Sequence, residues 1–234
     1  AGNSLYVGFF KPQLDGRWNG NIKKYGLDDQ GNILDAVGNP ATLTNGAIKD
    51  NAFSYWTVSA SPDGPNVLEG GVGAILLDQA SRNLYTYMGT AASLLDPSNA
   101  FSTSNGDITT TTLDVTTSTE RDNVINDIHG SGLSWVLGDV LHSKPSVSHY
   151  DTDNNGILDA SFIFSGTNDG VMHCFKDTDG SEAWGFIPPG QLNRLKLLSD
   201  TTSDHDYFVD GAPAIYEDAG QKILFFGERR GGSD

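Results

Sequence analysis

Residues 143–188 read SKPSVSHYDTDNNGILDASFIFSGTNDGVMHCFKDTDGSEAWGFIP, and the fold turns on how this stretch is divided. Lys144 to His149 alternates as a first strand. Ala160 to Gly166, rich in Phe and Ile, is a second. Thr167-Asn168-Asp169-Gly170 then signals a hairpin, because Asp-Gly supplies the positive φ that tight primed turns require. Val171 to Phe175 forms a third strand, Asp177 to Gly180 a second turn, and Glu182 to Ile187 a fourth strand. Four short antiparallel strands in a row make one blade of a β-propeller. The expected fold is therefore all-β, a propeller of four-stranded antiparallel blades with one or two short helices in insertions.

Working outward, residues 1–234 are read as a single domain or part of one. Leu5–Phe10, Asn21–Leu27, Asn32–Val37, Phe53–Val58, Val72–Leu77 and Asn83–Met88 read as further strands, and 38–52 as loop. Residues 102–120 are dominated by Thr and Ser with few apolar anchors, which predicts a surface insertion, partly disordered. Helical patterning is confined to 121–130, with Val124, Ile125 and Ile128 on one face, and to Gln191–Leu198. Two internal similarities support a repeat. GNIKKYGLDDQG at 20–31 resembles GVMHCFKDTDG at 170–180. SKPSVSHY before ASFIFSG resembles GAPAIYEDAGQ before KILFFGE, with Pro145 matching Pro213 and Gly166 matching Gly227. At ~40–50 residues per blade the chain holds about four or five, near the lower limit for closure. It is expected to be a piece of a larger propeller, with closure by the first strands as the rival arrangement.

Composition narrows the partners. The formal charge is −16, with 30 Asp and Glu against 14 Lys and Arg. Scattered basic residues on so acidic a chain argue against a nucleic-acid surface and favour solubility and cation binding. The single cysteine, Cys174, excludes an internal disulfide and is expected to be a small core residue. No apolar run reaches the ~20 residues of a membrane helix. The opening AGNSLYVGFF has no basic and apolar regions of a signal peptide, so any such leader is expected to lie outside it.

The first connection of the blade carries the chemistry. Asp151, Asp153 and Asn155 stand at alternate positions, Gly156 follows, and Asp159 comes four residues after Asn155. With the Ile157 carbonyl, these are the first, third, fifth, sixth, seventh and ninth places of a calcium-binding loop. Ca²⁺ takes six to eight hard oxygens, and alternate side chains of a tight coil converge on one centre while Gly permits the reversal. An EF-hand would place a bidentate Glu at the twelfth position, where this chain has Phe162. The flanks are strands, so water or a bidentate Asp159 is expected to complete the shell. A solvated acidic turn is the plain alternative, since Asp and Asn favour turns. Calcium is preferred because carboxylates packed without a cation repel one another.

Weaker candidates have plain explanations. Asp177, Asp179 and Gly180, and equally Asp28-Asp29-Gln30-Gly31, are turn chemistry. Asp139, His142 and Ser143 supply hydrolase residue types but no nucleophile-elbow motif. His173 and Cys174 are adjacent on a strand and point to opposite faces, so they cannot chelate one metal. His205 is read as structural or as a surface contact. Trp18, Trp56, Trp135 and Trp184 are read as packing anchors.

LGDVLHSKPSV (137–147), GTNDGVMHCFKDTDGSEAWGFIP (166–188), YFVDGAPAI (207–215) and WNGNIKKYGL (18–27) together resemble the C-terminal propeller of the PilY-type family, the type IV pilus biogenesis factors and tip adhesins. Residues 90–130 match poorly, and Cys174-Phe175-Lys176 replaces the family's usual Ala-Phe-Asp. The resemblance implies a calcium loop on Asp151, Asp153, Asn155, Ile157 and Asp159 in a non-enzymatic bacterial surface protein. It also implies export through the periplasm to the pilus tip or outer membrane. Calcium-dependent control of pilus extension and retraction, adhesion and motility would be its roles. Pilus subunits or minor pilins, or another part of the same protein completing the propeller, would be its partners. The family domain continues past residues 231–234, which predicts truncation here. The family's N-terminal adhesive region is expected to lie outside this stretch, so adhesion itself is not assigned to these residues. Two other classes stay open. Gly180 to Trp184 keeps the Gly-x-x-x-Trp spacing of quinoprotein dehydrogenase blades, although a single cysteine cannot form the vicinal disulfide those enzymes use. Alternatively, the loop staples a purely structural module of a surface assembly.

Overall fold

The computed structural model describes residues 3–89, 93–153, 155–200, 202, 204–218 and 220–232. Its centre is the expected meander. Strands β5 (Ser146–Tyr150), β6 (Ala160–Gly166), β7 (Met172–Lys176) and β8 (Glu182–Ile187) pair antiparallel in sequence order. Gly170 takes φ +90°, as the Asp-Gly turn demands. A fifth strand, β4 (Leu84–Thr86), lies parallel along the outer edge of β8.

Three strands precede the meander: β1 (Ser4–Lys11) and β2 (Asn19–Leu27) form a long antiparallel pair, and β3 (Ile33–Leu34) adds to β2. β3 is shorter than Asn32–Val37 because the Asp35 carboxylate accepts the N–H groups of Val37 and Asn39 and turns the chain. A last hairpin, β9 (Ala214–Asp218) with β10 (Gln221–Phe225), follows Pro213 as β5 follows Pro145, so the internal similarity corresponds to two hairpins. The architecture is mostly β in three sheets, none of which closes on itself among the described residues.

Two predicted strands are otherwise. Val72–Leu77 lies in helix α1 (Gly71–Asp78), because a short continuous apolar run suits a buried helix as well as a strand. Val72 and Leu76, one turn apart, enter the core, and Gly73 lies so close to the Trp135 ring that a Cβ would stand 2.2 Å from it. Phe53–Val58 is a series of turns. There Ser54 and Thr57 bond the Asp63 carboxylate, and the Tyr55 N–H donates to the Lys24 carbonyl.

Helix α2 (Ser118–Ile128) buries Val124, Ile125 and Ile128 as its pattern requires, and begins with a reciprocal capping box between Thr117 and Glu120. The Ser/Thr-rich stretch before it is better anchored than expected. Ile108 and Leu113 are fully buried beside Phe101, and the Arg121 guanidinium donates to the carbonyls of Thr103, Asn105 and Ile108. Residues 189–199 are a 3₁₀ segment whose Leu192, Leu195 and Leu198 join the same cluster.

The meander is covered on both faces. Ile163 and Phe175 face α1, Ile22 and Trp56, whereas Phe164, Met172 and Cys174 face Val209 and, from the last hairpin, Ile215 and Leu224. Asp177 ties the first sheet to the meander, its carboxylate accepting from Tyr6 and Lys24 and its carbonyl from the Trp56 indole. Cys174 is a buried free thiol whose pKa burial pushes up to about 12, in keeping with a core role. No helix among the described residues is long and apolar enough to cross a membrane.

Candidate metal centre

The β5–β6 connection is closed at its base by the Asp159 N–H donating to the Tyr150 carbonyl. Above that bond the loop coils inward. The Asn155 N–H donates to one oxygen each of Asp151 (3.1 Å) and Asp153 (3.2 Å), and the Gly156 N–H to the other Asp151 oxygen at 2.6 Å. Gly156 sits at φ +87°, a region in which a side chain would be strained, and that reversal sends the chain back toward Asp159. The result is convergence: carboxylate oxygens of Asp151, Asp153 and Asp159 lie within 4.8 Å of one another.

Of the five nominated residues, these three come together. Asn155 is beside them, but its amide NH₂ donates to Asp153 while its Oδ1 accepts the Ile157 N–H. Ile157 has a largely exposed side chain. Residue 154 lies outside the described residues, as do 233 and 234. The donor set fits a hard cation, since every converging atom is a carboxylate oxygen. The Asp159 carboxyl is held below the ordinary value by hydrogen bonds from the Thr152 hydroxyl and N–H, so it is ionised at neutral pH.

Elsewhere the structure sorts the other candidates. Asp139, His142 and Ser143 do not assemble as a triad. Asp139 pairs with His205 at 2.8 Å, His142 pairs with Asp210 at 2.8 Å, and the Ser143 hydroxyl accepts the Gly166 N–H. His205 is thus a largely buried structural partner, its ring centroid 4.0 Å from that of Trp18 and tilted 32° to it. Sequence reasoning missed two buried ionic clusters. One joins Lys23 to Asp63 at 3.1 Å, and the other chains Arg82, Glu182, His173 and Asp169. Their visible signal is a charged residue at an inward strand position, as at Lys23 in NGNIKKYGL and at Glu182 in EAWGFI.

Comparison with known proteins gives a consistent direction. A Type IV pilus biogenesis factor PilY1 homolog of Xylella fastidiosa is 35% identical over 106 residues, covering 44% of this chain and 7% of its own. PilY1 of Pseudomonas aeruginosa strain UCBPP-PA14 is 32% identical over 101 residues, 34% of this chain and 9% of its own. PilY1 of strain PAO1 is 35% identical over 122 residues, 42% of this chain and 10% of its own. The chain therefore spans no more than a tenth of the length of these relatives. No family model matches, and no solved structure matches. Over 34–44% of its length, then, this chain is PilY1-like, similar to the type IV pilus biogenesis factors.

Proposed function

We propose that this chain is a calcium-binding, non-enzymatic module of a type IV pilus surface protein. The similarity to PilY1 factors supports the pilus role. The observation that carries the calcium reading is the convergence of Asp151, Asp153 and Asp159 on one point of a glycine-reversed loop. In this reading the three carboxylates hold the ion, with the Asn155 side chain and the Ile157 carbonyl as further donors. A bound Ca²⁺ supplies positive charge that cancels carboxylate repulsion and fixes the hairpin tip.

The wider roles proposed for the chain are those that the resemblance to the PilY-type family implies. The chain acts at the bacterial surface, at the pilus tip or outer membrane after export through the periplasm. It works with pilus subunits or minor pilins in pilus extension and retraction, adhesion or motility. Its sheets belong to a β-propeller that another part of the same protein completes. A purely structural calcium staple is the second reading, favoured by the loop's dense internal hydrogen bonding from backbone and side-chain donors.

Calorimetric titration of chelator-treated protein with CaCl₂, beside Asp151→Ala and Asp159→Ala, tests the calcium reading. One-site binding that both substitutions abolish supports it. A folded wild-type chain that takes up no heat overturns it. Exchange of the bound ion within the range of ambient calcium favours regulation, and binding too tight to exchange favours the staple.

A further inference from the structure

His173 lies mid-strand in β7 with no exposed side-chain surface, and both of its ring nitrogens face acceptors. Nδ1 stands 2.6 Å from the Glu182 carboxylate. Nε2 stands 3.0 Å from the Thr167 hydroxyl and 3.3 Å from the Asp169 carboxylate. The Thr167 hydroxyl spends its own proton on Asp169, so it is placed to receive one from Nε2. A neutral imidazole has one N–H and one lone pair. Either tautomer would aim that lone pair at a buried carboxylate, at Glu182 in one case and at Asp169 in the other. The imidazolium donates to both sides, whereas a neutral Nδ1–H ring must draw the Thr167 proton away from Asp169.

The rest of the cluster favours the same charge. Glu182 is gripped by the Arg82 guanidinium through two parallel bonds of 2.7 and 2.8 Å. Asp169 accepts the N–H groups of Gly138 and Val171. Glu182 and Asp169 are both buried, and a protonated His173 sets a positive charge directly between the two carboxylates. The remaining charged and titratable neighbours are Arg17, whose charge reaches Asp169, His129, which senses both Arg82 and Glu182, and Cys174, which senses Glu182. Burial alone would drive His173 down, but Asp169 and Glu182 outweigh it and the net direction is up. Both carboxylates are correspondingly held below their ordinary values.

We propose that His173 is a built-in imidazolium, a proton-dependent lock that fastens the meander to β4 and α2. Arg82 is the far end of the lock. It lies just before β4, bonds Glu182 at the start of β8, and donates to the Ile128 carbonyl at the end of α2 at 2.6 Å. Loss of the His173 proton removes the counter-charge that lets Glu182 and Asp169 stay ionised side by side. The β4 edge and the α2 end then loosen together. The sign is fixed by the direction of the shift. A histidine raised above its unfolded value of about 6.5 contributes stability that is complete below that pH. The contribution is lost as pH rises through the folded value.

Long-range ¹⁵N–¹H correlation of the histidine rings in the intact chain, with His173 assigned through its backbone, tests this directly. At pH 8.5 a histidine of ordinary pKa is only about 1% charged. The lock requires His173 to carry both ring protons at that pH. A single neutral tautomer of His173 at pH 8.5 in the folded chain overturns the proposal. Urea midpoints at pH 6.5 and 9 give a second reading, in which the wild type falls and His173→Gln changes much less. Equal falls in both proteins count against the lock. If His173→Gln does not fold, the wild-type ring signals decide alone.

Discussion

At the scale of single residues, the interior is held by close approaches and by charges that have no water to fall back on. Gly73 is the clearest steric case, because the Trp135 ring occupies the space of its missing Cβ. Gly73→Ala should cost about 1–3 kcal/mol as the ring is pushed from its place, read as a lower urea midpoint with an unchanged slope. Lys23 is the electrostatic case. It is fully buried, donates to the carbonyls of Asp63 and Gly64 at 2.8 Å, and pairs with the Asp63 carboxylate. Lys23→Met leaves that carboxylate without its counter-ion and should cost about 3–5 kcal/mol by the same measurement. On the acid side, Asp63 and Asp169 are held below their ordinary values and Glu182 is held down to about 2. Their stabilisation is present above about pH 4 and fades as pH falls through the lowered values, so acid denaturation should begin below that point.

At the scale of elements, legibility followed the range over which each signal acts. The four meander strands were readable because alternation and Asp-Gly turns are local, and Asp169-Gly170 forms the predicted reversal. Helix α1 was misread because VGAILL is apolar without interruption, so neither period dominates, and the tertiary fit of Gly73 against Trp135 decides. The strand expected at Phe53–Val58 yields to side-chain bonds with Asp63, nine residues from Ser54. The pairing within the buried ionic chain was not readable, since Arg82 and Glu182 are 100 residues apart, although Glu182 at an inward strand position hints at a buried partner. In the candidate loop, spacing alone gave the three carboxylates that converge, but not the Asn155 amide's engagement with Asp153. Helix α2 shows a local signal at full strength: Thr117 caps it and Glu120 answers. Thr117→Ala should cost about 1 kcal/mol, measured by urea denaturation, and should lower helicity at the Ser118 end in amide exchange.

At the scale of the whole molecule, three sheets share their cores across the meander. The acidic loop stands at one end of it, on the hairpin whose other face packs against β9 and β10. An ion held between β5 and β6 would bind only the folded arrangement, since the converging carboxylates belong to a coil that the β5–β6 pairing closes. Calcium should therefore raise global stability by mass action, at about 2.7 kcal/mol when its concentration is 100 times the dissociation constant. Scanning calorimetry of the chain with calcium at that excess, against the same chain in chelator, tests the central claim most directly. The account predicts a higher melting temperature by roughly 5–10 °C, a shift that Asp151→Ala removes. Superimposable transitions of the folded wild type in calcium and in chelator would contradict it.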